Sequence, residues 1–120
     1  MTDYDEKMLR HLYERFNARA MDDVLAHLAE DVIWANGMEG GYVHGREGVR
    51  DYWTRQWAVV SPYVEPVAFQ ALDAGILVEV LQTVRDLQGK LIDGQSERRV
   101  RHLFHLRDGK VARFDIRQMT

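Results

Sequence analysis

The chain has 120 residues, 46% hydrophobic and 29% charged, with a formal net charge of −3. That balance fits one folded domain over residues 1–120, long enough for a sizeable core, and excludes an intrinsically disordered chain. No cysteine is present, which excludes disulfides, thiolate metal sites and a cysteine nucleophile.

The acidic balance argues against nucleic-acid binding, which rests on neutralising phosphates, and the single basic run is the short Arg98-Arg99-Val100-Arg101. No apolar run approaches the roughly eighteen residues that span a bilayer. The N-terminal MTDYDEKMLRHLYERF is charged throughout and lacks the apolar centre of a signal peptide. The expectation is a cytoplasmic protein with neither a membrane nor a nucleic acid as partner.

A first helix is predicted from about Asp3 to Arg19, with Leu9, Leu12, Tyr13 and Phe16 on one apolar stripe. Asp3 and Asp5 suit its N-terminus. A short second helix follows, with Asp22 as candidate N-cap and Val24, Leu25 and Leu28 on its buried side.

The stretch from Glu30 to Val60 is the most distinctive, because all three tryptophans lie within it. A short apolar strand, Val32 to Asn36, leads into the loop Gly37 to Gly45, which holds four glycines together with Glu39, Tyr42 and His44. The loop matches no phosphate-binding fingerprint. A third helix spans roughly Arg46 to Val60 with the stripe Val49, Tyr52, Trp53, Gln56, Trp57 and Val60, and Ser61-Pro62 ends it. Aromatics interleaved with polar groups make a wall suited to a small-molecule pocket.

The second half reads as long strands with short turns: Tyr63 to Leu72, Ile76 to Leu87, Gln95 to Leu106 and Val111 to Arg117. Asp108-Gly109 is a hairpin signal. Such an order makes a mainly antiparallel, strongly curved sheet. Alternation puts Val100, His102, Phe104 and Leu106 on one face of the third long strand, and Ala112, Phe114 and Ile116 on one face of the last. The opposite face mixes Leu77, Leu81 and Leu103 with charges, a composition suited to a homodimer contact. By the same parity Asp115 points outward, to an ion pair.

The sequence resembles the nuclear transport factor 2-like superfamily, within it the SnoaL-like and ketosteroid-isomerase-like branch. The resemblance rests on residues 16–25 (FNARAMDDVL), residues 28–34 (LAEDVIW), His44-Gly45-Arg46-Glu47-Gly48-Val49 and Asp108-Gly109-Lys110-Val111. It implies an α+β cone-shaped barrel, three N-terminal helices packed in the concave face of the curved sheet. It also implies an open mouth holding a small, mostly hydrophobic molecule, and a homodimer through the outer sheet face. Members include isomerases, cyclases, dehydratases and epoxide hydrolases, alongside members without chemistry.

Position by position, Asn36 stands where ketosteroid isomerases carry a general-base aspartate, and an asparagine takes up no proton. Their tyrosine donor falls at Leu12, next to Tyr13, and their oxyanion-binding acid near His102. Epoxide hydrolases of the limonene type keep only a match at Asn36; their later acidic and basic positions fall at Val78, Val80 and Ile116. SnoaL-type cyclases use an inward aspartate or histidine, and His102 is the inward histidine here.

His102 is therefore the candidate acid/base, or else a hydrogen-bonded core histidine. Asn36 is a polar anchor, or an ordinary Asn-Gly turn. Tyr13, Trp34, Trp53, Gln56, Trp57, Phe104 and Phe114 are the candidate ligand-lining residues. No motif calls for a metal or a cofactor. Two functions fit: a cofactor-independent proton-transfer enzyme (a cyclase, isomerase or dehydratase) or a non-catalytic ligand-binding or dimeric scaffold module.

Overall fold

A computed structural model describes residues 2–73, 75–92 and 97–118. Helix α1 covers Asp3–Asn17 and is closed by a capping box: Thr2 Oγ1 accepts from the Asp5 backbone N–H at 3.0 Å, and the Asp5 carboxylate accepts from the Thr2 N–H at 3.3 Å. Thr2, rather than Asp3, is thus the N-cap, with Asp5 as its reciprocal partner. The helix ends two residues before Arg19, which takes a left-handed backbone (φ 61°). Helix α2, Met21–Leu25, has no side-chain cap; Asp22 lies in its first turn and accepts from Arg50 at 2.8 Å instead.

Strand β1 runs Leu28–Ala35 and so begins four residues before the expected Val32. Leu28 is buried, but in a strand, because its start is paired with Val111 on the far end of the chain. Local periodicity carries no trace of that contact. A short strand β2, Tyr42–His44, lies inside the predicted loop and pairs antiparallel with β1. Helix α3, Gly45–Trp57, begins on a left-handed glycine (φ 76°) and stops short of Val60. The Val59 and Val60 N–H groups both fold back onto the Gln56 carbonyl.

Four strands follow: β3 Ser61–Leu72, β4 Gly75–Arg85, β5 Arg98–Arg107 and β6 Lys110–Gln118. The expected starting point of the third long strand, Gln95, lies outside the described residues. Among the described residues the six strands form one sheet in the order β2-β1-β6-β5-β4-β3, antiparallel except where β1 runs parallel to β6. β3 is an edge strand, which is how it accommodates Pro62 and Pro66 without breaking a central ladder. The β5–β6 hairpin turns on Asp108 (φ 53°) and Gly109 (φ 77°), the backbone that the Asp-Gly pair favours.

The fold is α+β: three helices against a curved, mostly antiparallel sheet. Inward faces follow the alternation on β4 and β5, where Ile76, Val78, Val80, Val100, His102 and Phe104 are all buried. β6 departs from it. A register shift between His105 and Leu106 pairs Leu106 with Val111, so Val111 (fully buried) and Phe114 both reach the core. The core also takes Leu9, Leu12 and Tyr13 from α1, and Val49, Tyr52 and Trp53 from α3. Among the described residues no helix is long and apolar enough to cross a membrane.

Candidate functional site

Between α1, α3 and the concave sheet face lies a cavity of about 120 Å³. Its walls are apolar and aromatic: Trp34 from β1, Trp53 from α3, Phe16 from α1, Phe104 from β5 and Phe114 from β6. The rings support each other. Trp34 stacks on Phe114 with centroids 4.0 Å apart and meets Trp53 edge-on at 5.2 Å. Preformed aromatic walls of this kind hold their shape without a ligand.

The polar groups of the cavity come from three elements. His102, 5% exposed, faces it from β5, and its Nδ1 lies 2.7 Å from the hydroxyl of Tyr13 on α1. Burial holds the imidazole neutral, pushing its pKa from 6.5 down to about 3, and pushes the Tyr13 hydroxyl well above its ordinary value. Nε2 of His102 has no partner among the described residues. With the proton on Nε2, Tyr13 donates to Nδ1 and the ring offers a donor to the cavity; with the proton on Nδ1, Tyr13 accepts it and its own O–H is free to turn inward. In both tautomers the pair can hydrogen-bond a ligand oxygen. It offers no titrating base at neutral pH.

Gln56 is the second polar group. Its Nε2 donates to the Tyr52 hydroxyl at 3.3 Å, while its Oε1 is buried without a partner among the described residues. An orphaned acceptor at a cavity wall is a place for a ligand donor. Tyr52 itself accepts from the Gly37 N–H at 3.0 Å and ties the glycine loop to α3.

A second cavity of about 340 Å³ opens beyond the first and is more polar. The two share Ala35, Gly37, Gln82 and Ile116 and so adjoin at these residues. Asn36 lines the outer cavity, not the inner one. Its side chain is occupied by the loop: Oδ1 accepts from Met38 N at 3.0 Å and Glu39 N at 2.9 Å, and Nδ2 donates to Glu39 at 3.3 Å. Glu39 also pairs with Arg55 at 3.5 Å. Asn36 thus builds the turn at the mouth.

The inner cavity therefore brings together Tyr13, Trp34, Trp53, Gln56, His102, Phe104 and Phe114. Trp57 stands behind the wall, stacked on Trp53 at 5.7 Å and covered by Arg19 at 5.2 Å, and does not line the cavity. Sequence reasoning passed over Ile116 and Gln82 at the neck, although both lay on inward faces by strand parity. It also missed the Tyr13–His102 bond, whose partners are 89 positions apart. Asp115 points outward, as parity required, and accepts from Arg113 at 2.9 Å and from Tyr42 at 2.5 Å. Burial raises its pKa, but those two bonds outweigh it and hold the carboxyl below its usual value. No group of three or more histidine or carboxylate side chains able to hold a metal occurs among the described residues.

The SnoaL-like domain profile matches residues 9–114, nearly the whole chain and every lining residue of the inner cavity but Ile116. The chain belongs to the SnoaL-like domain family. Solved structures share the fold of this SnoaL-like protein end to end. A Burkholderia pseudomallei protein of unknown function, described as nuclear transport factor 2-like, is 23% identical with a TM-score of 0.83, covering 98% of this chain and 92% of that one. TerC, crystallised with polyporic acid, is 21% identical with a TM-score of 0.82, over 98% and 92%. A Sinorhizobium meliloti protein provisionally called a polyketide cyclase is 18% identical with a TM-score of 0.78, over 92% and 94%. No curated protein matches the sequence.

Proposed function

We propose that this SnoaL-like protein binds a small, mainly apolar, oxygen-bearing molecule in the inner cavity and acts on it by cofactor-independent proton transfer, of the isomerase, cyclase or dehydratase kind. The carrying observation is the buried Tyr13–His102 pair at the cavity wall, 2.7 Å apart and held neutral. A neutral hydrogen-bonding pair in an aromatic site suits a ligand carbonyl, and favours the enolate left when a water entering from the outer cavity takes the proton of an adjacent C–H. His102 and Tyr13 polarise the oxygen; Trp34, Trp53, Phe104 and Phe114 hold the ring; Gln56 takes a ligand donor. That TerC is crystallised with polyporic acid and that two neighbours are provisionally called polyketide cyclases supports the ligand class.

The cavity volume of about 120 Å³ suits one six-membered ring. Acetophenone is thus the probe: one ring and one carbonyl. Its methyl protons exchange with D2O under NMR, and the protein should accelerate that exchange while Tyr13→Phe slows it. An Ile116→Trp substitution, which closes the neck, should abolish binding seen as chemical-shift changes in the tryptophan indoles. Binding that survives a closed neck would overturn the assignment of the cavity.

A second reading, a ligand-binding module without turnover, draws on a specific observation. No carboxylate lines either cavity among the described residues, and burial leaves His102 unable to take a proton near neutrality. Acetophenone that binds with no enhanced exchange would decide for it. We further propose a homodimer through the outer sheet face, supported by the half-buried Leu77 and Leu81 set among the Glu79–Arg99 and Arg113–Asp115 pairs. Sedimentation as a monomer at micromolar concentration would refute it.

A further inference from the structure

Resting on the pocket reading above, we infer that the ligand carries an oxyanion, a carboxylate or its equivalent, at its outer end, and that Arg98 receives it. Arg98 pairs with Gln82 across β4 and β5, two positions beyond Val100–Val80 and four beyond His102–Val78. Parity therefore sets it on the same inward face as His102, at the open end of the strand. It lines the outer cavity with Gln82, Tyr42 and Ile116.

Charge makes the argument. The chain is acidic overall, with a net charge of −3. Yet among the described residues Arg98 is the one charged side chain lining either cavity. On the sheet, Arg99 pairs with Glu79, Arg113 with Asp115 and Arg107 with Asp31. Arg98 makes no ion pair or hydrogen bond among the described residues. Glu97, next to Arg98 in the chain, and Glu39 of the glycine loop, which is held by Asn36 and Arg55, line neither cavity. A cavity whose walls carry one unopposed positive charge draws anions and repels cations.

Geometry sets the length. Arg98 lies four residue steps from His102, about 13 Å along β5. A two-ring acid spans this once the arginine side chain folds inward: one ring in the inner cavity, the second at the neck beside Ile116 and Gln82, and the carboxylate in the outer cavity. A guanidinium fork is matched to such a carboxylate.

The test compares biphenyl-4-carboxylate with its neutral isostere biphenyl-4-carboxamide by isothermal calorimetry at low salt. Wild type should bind the acid about fivefold more tightly than the amide, the gain expected of a solvent-accessible charge pair. Arg98→Gln should erase that preference, bringing the ratio of acid to amide affinity to about one. Arg99→Gln, which removes the same charge from the outer face, should keep it. If the amide binds and the acid is no better, or if the preference survives in Arg98→Gln or is lost equally in Arg99→Gln, the anion inference falls while the pocket reading stands. If neither compound binds while acetophenone does, the anion inference falls and the pocket reading stands; if acetophenone fails as well, both fall.

Discussion

His102 makes stability depend on pH in a direction that its neighbours do not mask. Folded, the ring stays neutral until about pH 3, because burial penalises its charged form; unfolded, it titrates near 6.5. Between those values the unfolded chain holds a proton that the folded one does not, so stability falls as pH falls. The slope is about 1.4 kcal/mol per pH unit, and between about pH 7.5 and pH 5 it amounts to about 2 kcal/mol. At about 2.1 cal/mol/K per residue, a chain this size loses about 4 °C of melting temperature per kcal/mol, hence about 8 °C in all.

His27 and Asp115 also titrate with shifts of their own, and their contribution is common to wild type and variant. Melting of wild type and His102→Leu at both pH values therefore isolates the ring. At pH 7.5 the variant should be less stable by about 1–3 kcal/mol, because the Tyr13 hydroxyl loses its partner. By pH 5 that gap should shrink by about 2 kcal/mol. Parallel pH slopes for the two proteins would refute a buried neutral histidine.

Three further outcomes follow from single contacts. In a cycle of Tyr13→Phe, His102→Leu and the double variant, each single change should cost about 1–3 kcal/mol and the double less than their sum, by more than about 0.5 kcal/mol of coupling; additive urea midpoints would deny the bond. Asn17 pins α1 to the edge strand by donating to Val64 O at 2.7 Å and accepting from Val64 N at 3.0 Å. Asn17→Ala should lose about 1–3 kcal/mol by the same urea measurement and speed hydrogen exchange at Val64. Gly75 sits at φ 154°, where an added Cβ would lie 2.1 Å from the Phe104 carbonyl oxygen. Gly75→Ala should therefore lower the melting temperature by well over about 4 °C, the equivalent of 1 kcal/mol, or shift the β4–β5 register visibly by NMR.

Much of the fold was legible because its strongest signals are local. The stripe on α1, the aromatics of α3 and the alternation on β4 and β5 each put the right side chains inward. What escaped were features set by partners distant in sequence. The early start of β1 depends on Val111, the hidden strand β2 on pairing with Ile33 and Trp34, and the β6 bulge on Leu106. The site divides the same way. Its aromatic lining could be listed from periodicity, whereas the Tyr13 partner of His102 lies 89 residues away. Asn36 was ambiguous for a physical reason: an asparagine before glycine serves equally as a ligand anchor and as a turn former, and here Met38 and Glu39 take its oxygen. Trp57 shares the helical stripe of Trp53, but one further turn carries it behind the wall rather than onto it.

The most direct test of the account is a crystal of the protein soaked with acetophenone. The ring should lie among Trp34, Trp53 and Phe114, with the carbonyl oxygen within hydrogen-bond distance of His102 Nε2 or the Tyr13 hydroxyl. A ketone bound elsewhere, or with its oxygen turned away from both groups, would contradict the proposed role of the Tyr13–His102 pair.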